Sequence, residues 1–392
     1  MTPVRFKPGV SIHSNTTPIF TPMPITMFIQ KLIPMKSKPV IRITSIAFHH
    51  VLLVFIIVGL LAFSACEKDP VPSNPDFPQI VEGDGVFVIN EGNFQAGNAS
   101  LGYYDIVTGK MYNDLYYQAN QQELGDVFQS MTIHNGKAYL VVNNSGKIEV
   151  IDPFTCESVA RIDGFISPRH FLPVSDTKAY VTNLFGGLLD VVDLEADVVS
   201  KSIPLTGWNE EMVMLSGMVV TAGVESGYLY FIDPVTDQVT DSLWVGSAPA
   251  SLTRDADGHL WVLCAGDWMS NTGAALVQVS HVDFSVLHTH MLPEIGQTYS
   301  GLEISPDGLN LYSIGDGIYR WNIREKSPGT DLLIPASGRV FYSLGVDPVH
   351  GYIYVGDAVD FTQRGKVMVF DADGRETGSA DAMHNPGGFC FF

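Results

Sequence analysis

Two segments of this chain carry almost the same sequence about eighty residues apart. The first is SGKIEVIDPFTCESV (145–159) and the second is SGYLYFIDPVTDQVT (226–240). In each, an apolar run ends at an aspartate that begins a turn, and a second run follows. The alternation of polar and apolar residues at 147–151 is typical of a β-strand. The repetition therefore predicts an internal structural repeat made of strands.

The same turn occurs seven times beyond residue 84. Each turn begins with a residue whose short polar side chain can bond the backbone two residues further on. These residues are Asp105, Asp152, Asp193, Asp233, Ser280, Asn322 and Asp371. They lie 40 to 49 residues apart, with four short strand-like runs per interval. Such units predict an all-β fold, a seven-bladed β-propeller of four-stranded antiparallel blades.

The two ends of the repeat region predict how the ring closes. The run GVFVIN (85–90) matches the second strand of a blade, and NPGGFCFF (385–392) matches a first, innermost strand. The C-terminal strand is therefore expected to join the first blade, which hides sheet edges that would otherwise be exposed. We assign the propeller to residues 85–392 and expect it to be monomeric.

The residues before the propeller have the features of an export signal. The uncharged run VLLVFIIVGLLAFSA (51–65) is short for a membrane span and typical of a signal-peptide core. Cys66 follows small residues, as in a bacterial lipobox, although Phe63 stands where leucine is usual. We predict a lipoprotein signal peptide at 35–65 and lipidation of Cys66. The alternatives are ordinary cleavage nearby or a plain N-terminal anchor.

The same region predicts where translation starts and where the protein resides. A basic segment that begins at Met35 has the length of a signal-peptide n-region, so residues 1–34 are expected to lie outside the protein. Residues 66–84 are rich in proline, which favours an extended tether. The acidic residues directly after Cys66 resemble the export tag of surface lipoproteins in some Gram-negative bacteria, which implies an outer-membrane lipoprotein held by a lipid anchor. It would be exposed on the cell surface or, alternatively, face the periplasm.

Charge and cysteine content argue against two further classes of partner. The chain has 22 basic and 42 acidic residues, and six of the basic residues lie in the first 65, which hold no acidic ones. The remainder has 16 basic and 42 acidic residues, a net charge of −26. That charge opposes nucleic-acid binding. The four cysteines show no CxxC spacing, so no metal site is predicted.

Function is expected at the loops on one face of the ring, around the mouth of the central channel. These loops join the second strand of a blade to the third, and one blade to the next. The loops at 90–100, 264–274 and 357–365 exceed what a hairpin needs, and such length usually has a reason. Their aromatic side chains suit a broad, partly apolar ligand, or else pack onto neighbouring loops. The predicted ligand-binding residues are Asn90, Glu91, Asn93, Phe94, Asp126, Arg169, Trp208, Asn209, Trp268, Tyr299, Tyr342, Phe361 and Asn385.

No catalytic residue is predicted. Arg169 and His170 could serve a lactonase, but adjacent residues of a regular strand point to opposite faces. Glu91, Asp126 and Glu210 could crowd at the channel mouth and hold Ca²⁺, although lone carboxylates are more often solvated. The chain has no GxSxG or HExxH motif. A propeller enzyme, either a lactonase or a metal-dependent hydrolase, and an interaction scaffold without a small ligand remain as alternatives.

The strand KAYVTN (178–183) and the IDPVT turn resemble the YVTN/YncE-like seven-bladed propellers. The segments at 86–105 and 125–152, beginning VFVINEGNFQAGN and GDVFQSMTIHNGK, are similar to surface lipoprotein propellers that accompany outer-membrane uptake systems. That group includes BtuG-like proteins, which capture cobalamin. The resemblance implies a non-enzymatic protein that holds a corrinoid on the loop face and passes it to an outer-membrane transporter.

Overall fold

The seven-bladed all-β propeller that the repeat predicts is confirmed by a computed structural model, which describes residues 77–267, 269, 271–293, 298–325 and 331–392. Each blade is a four-stranded antiparallel sheet. The polar turn residues end the third strand of each blade as expected. In blade two, for example, the backbone N–H of Phe154 donates to Asp152 Oδ1 at 2.8 Å.

The strands of each blade follow chain order from the central channel outward. Blade one holds β1 (Gly85–Asn90), β2 (Ser100–Asp105) and β3 (Lys110–Tyr112). Blade two holds β4 (Phe128–His134), β5 (Lys137–Val142), β6 (Lys147–Ile151) and β7 (Ser158–Asp163). Blade three holds β8 (Pro168–Ser175), β9 (Lys178–Asn183), β10 (Leu188–Asp193) and β11 (Val198–Pro204). Blade four holds β12 (Asn209–Leu215), β13 (Met218–Gly223), β14 (Tyr228–Asp233) and β15 (Gln238–Trp244).

The remaining blades follow the same order. Blade five holds β16 (Pro249–Arg254), β17 (Leu260–Cys264), β18 (Ala275–Val279) and β19 (Val286–Met291). Blade six holds β20 (Ser300–Ile304), β21 (Asn310–Ile314), β22 (Gly317–Asn322) and β23 (Asp331–Pro335). Blade seven holds β24 (Phe341–Val346), β25 (Ile353–Asp357), β26 (Arg364–Phe370) and β27 (Glu376–His384). The strand β28 (Pro386–Phe391) returns to blade one as its innermost strand.

Helical structure in the described residues is limited to short segments, α1 (Leu115–Asn120) and a 3-10 turn at Asn143–Ser145. None of the helices in this part of the chain is long and apolar enough to cross a bilayer. The predicted start, the signal peptide, Cys66 and most of the 66–84 tether lie outside the described residues and stay predictions.

The core lies between neighbouring blades rather than at the centre of the ring. Each sheet packs its two faces against the blades on either side, as when Tyr139 of blade two stacks on Phe171 of blade three with ring centroids 4.4 Å apart. The innermost strands also contact one another in order around the channel. Burial of both faces in the middle of each sheet explains why the second and third strands, such as β5 and β6, are largely apolar on both sides, whereas outermost strands such as β15 are exposed.

The ring closes through a pairing between β1 and β28. Its register runs from Val86 opposite Phe391 to Ile89 opposite Gly388. The closure continues beyond the strands, where the backbone N–H of Gly83 donates to the carbonyl oxygen of Phe392 at 2.6 Å. These bonds hold both ends of the repeat region in blade one.

Removing Phe389–Phe392 should open the ring, because these residues supply half of β28, the innermost strand of blade one, and pack three phenyl groups against the core. We expect the melting temperature to fall by about 10 °C or more, measured by circular dichroism. Val107→Ala, at an exposed turn of the same blade, is the control. A truncated protein that melts with the wild type would contradict this account of closure.

Candidate functional site

Each innermost strand begins at the predicted ligand-binding face and has a β-bulge close to this first end. The pairing register shifts within the first four residues of β4, β8, β12, β16, β20, β24 and β28. A bulge places two residues opposite one on the partner strand and re-aims their side chains. The residues in the second position of these strands are named here the mouth ring: Gln129, Arg169, Glu210, Ala250, Gly301, Tyr342 and Gly387.

The strongest interaction of the mouth ring joins Arg169 of blade three to Glu210 of blade four. The Nε and Nη2 atoms of Arg169 donate to Glu210 at 2.9 and 2.6 Å, and its Nη1 donates to Gln129. The indole N–H of Trp208 donates to the same carboxylate. Burial alone would raise the pKa of Glu210, but Arg169 and His170 lower it to about 2. Glu210 is therefore a fixed negative charge held by three neighbours.

The interaction between His170 and Glu210 corrects one expectation from the sequence. His170 Nε2 lies 3.3 Å from Glu210 Oε1, so His170 and Arg169 contact the same carboxylate. The expectation that the two side chains point to opposite faces is wrong because it assumed a regular strand. The register shift between Pro168 and Phe171 removes the alternation at this point.

A second interaction, on the other side of the mouth, joins Glu91 to Tyr342. The Tyr342 hydroxyl donates to Glu91 Oε2 at 2.7 Å. Burial raises the pKa of Glu91, and the Tyr342 hydrogen bond and the Arg169 charge offset part of that rise. A Cβ atom on Gly387 would lie 2.6 Å from Glu91 Cγ, so only glycine leaves room for this side chain. The positive charge of Arg169, in blade three, thus acts on Glu91 of blade one.

Two further carboxylates belong to the innermost strands of blades four and six. Glu211 Oε2 accepts the backbone N–H of Leu252, in blade five, at 2.7 Å. Burial raises the pKa of Glu211, and burial together with the Glu211 charge raises the pKa of Glu303 to about 8. Glu303 is therefore largely protonated at neutral pH and can donate a hydrogen bond. The candidate site therefore combines the ionised Glu210 with three acids, Glu91, Glu211 and Glu303, whose pKa burial raises.

The long loop of blade one (90–100) is tied to its neighbours on both sides. The Asp126 carboxylate accepts the backbone N–H of Gln95 at 2.9 Å. On the other side, Asn93 Nδ2 donates to the carbonyl oxygen of Phe361 at 2.6 Å. These bonds connect the loops of blades seven, one and two into one rim beside the mouth ring.

Two phenyl groups stand on this rim. Phe94 is 68% exposed and Phe361 is 46% exposed. The ring of Phe361 meets that of Tyr342 edge-on, with centroids 5.2 Å apart. Apolar surface at the rim therefore adjoins the carboxylates of the mouth.

The other residues predicted to bind a ligand lie elsewhere. Asn90 and Asn385 are buried at the ring closure, where Asn90 Oδ1 accepts the N–H of Met383 and Asn385 Nδ2 donates to the carbonyl oxygen of Gly92. Asn209 is buried and donates to the carbonyl oxygen of its own turn. The structure therefore places these three side chains in the framework of the ring rather than on its exposed face.

Tyr299 is also placed away from the mouth. It is 2% exposed and packs in the core against Tyr319 and Trp321. Trp268, like Cys66, lies outside the described residues. The residues that the structure brings together at the mouth and its rim are Glu91, Asn93, Phe94, Asp126, Arg169, Trp208, Tyr342 and Phe361.

Five residues of the candidate site are missing from the predicted ligand-binding set: Gln129, His170, Glu210, Glu211 and Glu303. All five lie within the first four residues of an innermost strand, so an alignment of those seven strand starts would have found them. Within the described residues, no group of three or more His, Cys, Asp or Glu side chains is arranged to hold a metal ion.

The model of the DUF5074 family, a domain of unknown function, matches residues 84–391. The chain belongs to this family. No curated protein matches it. The wide reach of the family model places the whole propeller, including the mouth ring, within one family domain.

Solved structures with a similar fold come from several bacteria. A quinonprotein alcohol dehydrogenase-like protein from Bacteroides thetaiotaomicron is 17% identical, with a TM-score of 0.60, covering 79% of this chain and 78% of that one. A putative 6-phosphogluconolactonase from Bacteroides fragilis is 14% identical, with a TM-score of 0.60 and coverage of 82% and 99%. A functionally unknown protein from Desulfotomaculum acetoxidans is 11% identical, with a TM-score of 0.61 and coverage of 78% and 98%. At these identities the similarity concerns the fold alone.

Glu303→Gln should raise stability at alkaline pH. Folding raises the pKa of Glu303 from 4.5 to about 8, so the folded protein is progressively destabilised as pH rises between these two values. The melting temperature of the variant should therefore exceed that of the wild type by an amount that grows between pH 5 and pH 9, reaching roughly 3 °C or more. Glu157→Gln, at an exposed position, is the control. A difference that stays constant with pH would contradict the raised pKa.

Proposed function

We propose that this protein is a ligand-binding propeller that holds a corrinoid, with cobalamin as the best candidate, over the mouth ring. The observation that carries the proposal is the group of carboxylates at the channel mouth beside exposed phenyl rings. A corrin ring is broad and partly apolar, and its edge carries primary amides. Carboxylates such as Glu91 and Glu211 can accept the amide N–H groups, while Phe94 and Phe361 can cover part of the ring.

The state of the mouth before any ligand arrives supports binding rather than catalysis. The charges of Arg169 and Glu210 are committed to each other, and the position of Glu91 is set by Tyr342 and Gly387. Groups fixed in this way lose little freedom when a ligand binds, which favours affinity. No reacting group is assigned in this proposal.

We further propose that the protein is exported, is anchored through a lipid at Cys66 and delivers its ligand to an outer-membrane transporter. The route of the described chain is compatible with such an anchor. Gly83 bonds to Phe392, at the end of β28 remote from the mouth-ring residue Gly387. The tether would therefore join the propeller at the end of blade one that is remote from Gly387.

Calorimetry with cyanocobalamin tests the proposal. We expect saturable binding to the purified protein and affinity roughly tenfold weaker in Phe361→Ala, because an exposed aromatic contact would be lost. Glu91→Gln should also weaken binding, since an amide accepts N–H groups less strongly than a carboxylate.

Val349→Ala is the matched control, because Val349 is exposed in the turn between β24 and β25, at the end of blade seven remote from the mouth. This variant should bind like the wild type. Absence of heat at high micromolar cyanocobalamin would overturn the corrinoid proposal. Equal losses in Val349→Ala and Phe361→Ala would remove the site from the mouth.

A further inference from the structure

A separate cleft lies between blades three and four, at the end of the ring opposite the mouth. Its volume is about 710 Å³, within the range of small-molecule sites. It is lined by the hairpin between β8 and β9 and by the turn between β14 and β15. Its apolar lining comprises Val174, Pro234 and Val235, of which Val235 is 87% exposed, together with the buried strand residues Val191 and Val192.

The polar side of the cleft is organised around Asp237, which is 9% exposed. Asp237 Oδ1 accepts a hydrogen bond from Lys178 Nζ at 3.0 Å and another from the Tyr180 hydroxyl. Asp237 Oδ2 lies 2.8 Å from Lys201 Nζ. Burial alone would raise the pKa of Asp237, but its bonds to Lys201, Tyr180 and Lys178 lower it. The carboxylate is therefore ionised and has all its partners within the protein.

The two lysines have more donors than this carboxylate uses. An ammonium group has three N–H donors. Lys178 uses one on Asp237 and one on the carbonyl oxygen of Pro234, and Lys201 uses one on Asp237. The other acid at the cleft, Asp193, accepts backbone N–H groups of its own turn. Among the described residues, Lys178 and Lys201 thus have N–H donors that Asp237 does not use, while Asp237 and Asp193 already accept hydrogen bonds from the protein.

Comparison with blade two shows which of these residues belong to the shared framework of the blades and which are particular to this cleft. Lys137 and Tyr139 occupy in blade two the positions of Lys178 and Tyr180 in blade three, and the Asp197 charge acts on Tyr139. This part of the arrangement therefore belongs to the framework between blades. The second lysine does not. Blade two has Ala160 opposite Val150, where blade three has Lys201 opposite Val191.

We propose that this cleft binds a small amphipathic carboxylate. The carboxylate would lie between Lys178 and Lys201, which Asp237 holds in place, and the aliphatic chain would lie along Val174, Pro234 and Val235. The net charge of the protein is −20, which disfavours anions at most of its surface, and this pair of lysines provides local N–H donors for an anionic group. The site is independent of the mouth ring and of the function proposed for it.

Calorimetry at low ionic strength, with acetate, hexanoate, octanoate and inorganic phosphate as probes, tests this proposal on the purified protein. Affinity should rise from acetate to octanoate, because each methylene adds buried apolar area. Lys201→Ala, which introduces the blade-two residue, should weaken octanoate binding at least roughly tenfold. Lys201 is 53% exposed, so this variant should fold.

Lys366→Ala is the matched control, because Lys366 is similarly exposed and pairs with Asp381 at the same 2.8 Å. It should leave octanoate binding unchanged. Phosphate binding as tight as octanoate, octanoate binding that survives Lys201→Ala, or no heat at about 10 mM octanoate would each overturn the proposal. Cyanocobalamin binding should not differ between Lys201→Ala and the wild type, which keeps the two sites distinguishable.

Discussion

The pairing of β1 with β28 is the interaction on which the rest of this structure depends. Each other blade is built from one continuous stretch of chain, whereas blade one needs residues from both ends of the repeat region. Without the pairing, blade one would lack its innermost strand, and β24 and β4 would lose the neighbour that lies between them. The circular packing of the innermost strands would then be interrupted. The mouth ring would lose Gly387, against which the Glu91 side chain packs.

The bulges explain why one framework can carry a varied site. A bulge changes the direction of side chains at one end of a strand while the rest of the strand keeps its pairing. All seven blades share this device, yet the residues there range from glycine to arginine. The bulged end of each innermost strand thus carries the side chains at the mouth, while the rest of the strand keeps its regular pairing. Some mouth-ring side chains also join neighbouring blades, as Arg169 of blade three joins Glu210 of blade four.

The fold was predictable from the sequence because its signals are local. Asx-type turns and strand alternation repeat within each unit, so seven weak signals support one another. The rim was partly predictable for the same reason, since Phe94 and Phe361 lie in loops of unusual length. The mouth itself was not. The effect of a bulge on Arg169 and His170 depends on pairing with another strand, which alternation within one segment does not reveal.

Burial was also hard to predict for residues in short connections. Tyr299 precedes β20 in a blade-to-blade segment, and its side chain packs inward against β22. Asn90 ends β1 and Asn385 directly precedes β28, as ligand-binding residues often do, but they satisfy backbone groups at the closure. Glu211 and Glu303 resemble surface carboxylates in sequence, and only the ring geometry brings the two side chains close enough for the Glu211 charge to act on Glu303.

The closing pair also has a consequence for the order of folding. Val86 and Phe391 are 305 residues apart in the chain, whereas the strands within blades two to seven pair over short distances. Contacts between distant residues form slowly, because the intervening chain must be ordered first. Blades two to seven should therefore assemble before the ring is complete. During that interval the edges of β1 and β28 are open to pairing with other molecules, so the chain is most prone to aggregation just before the ring closes.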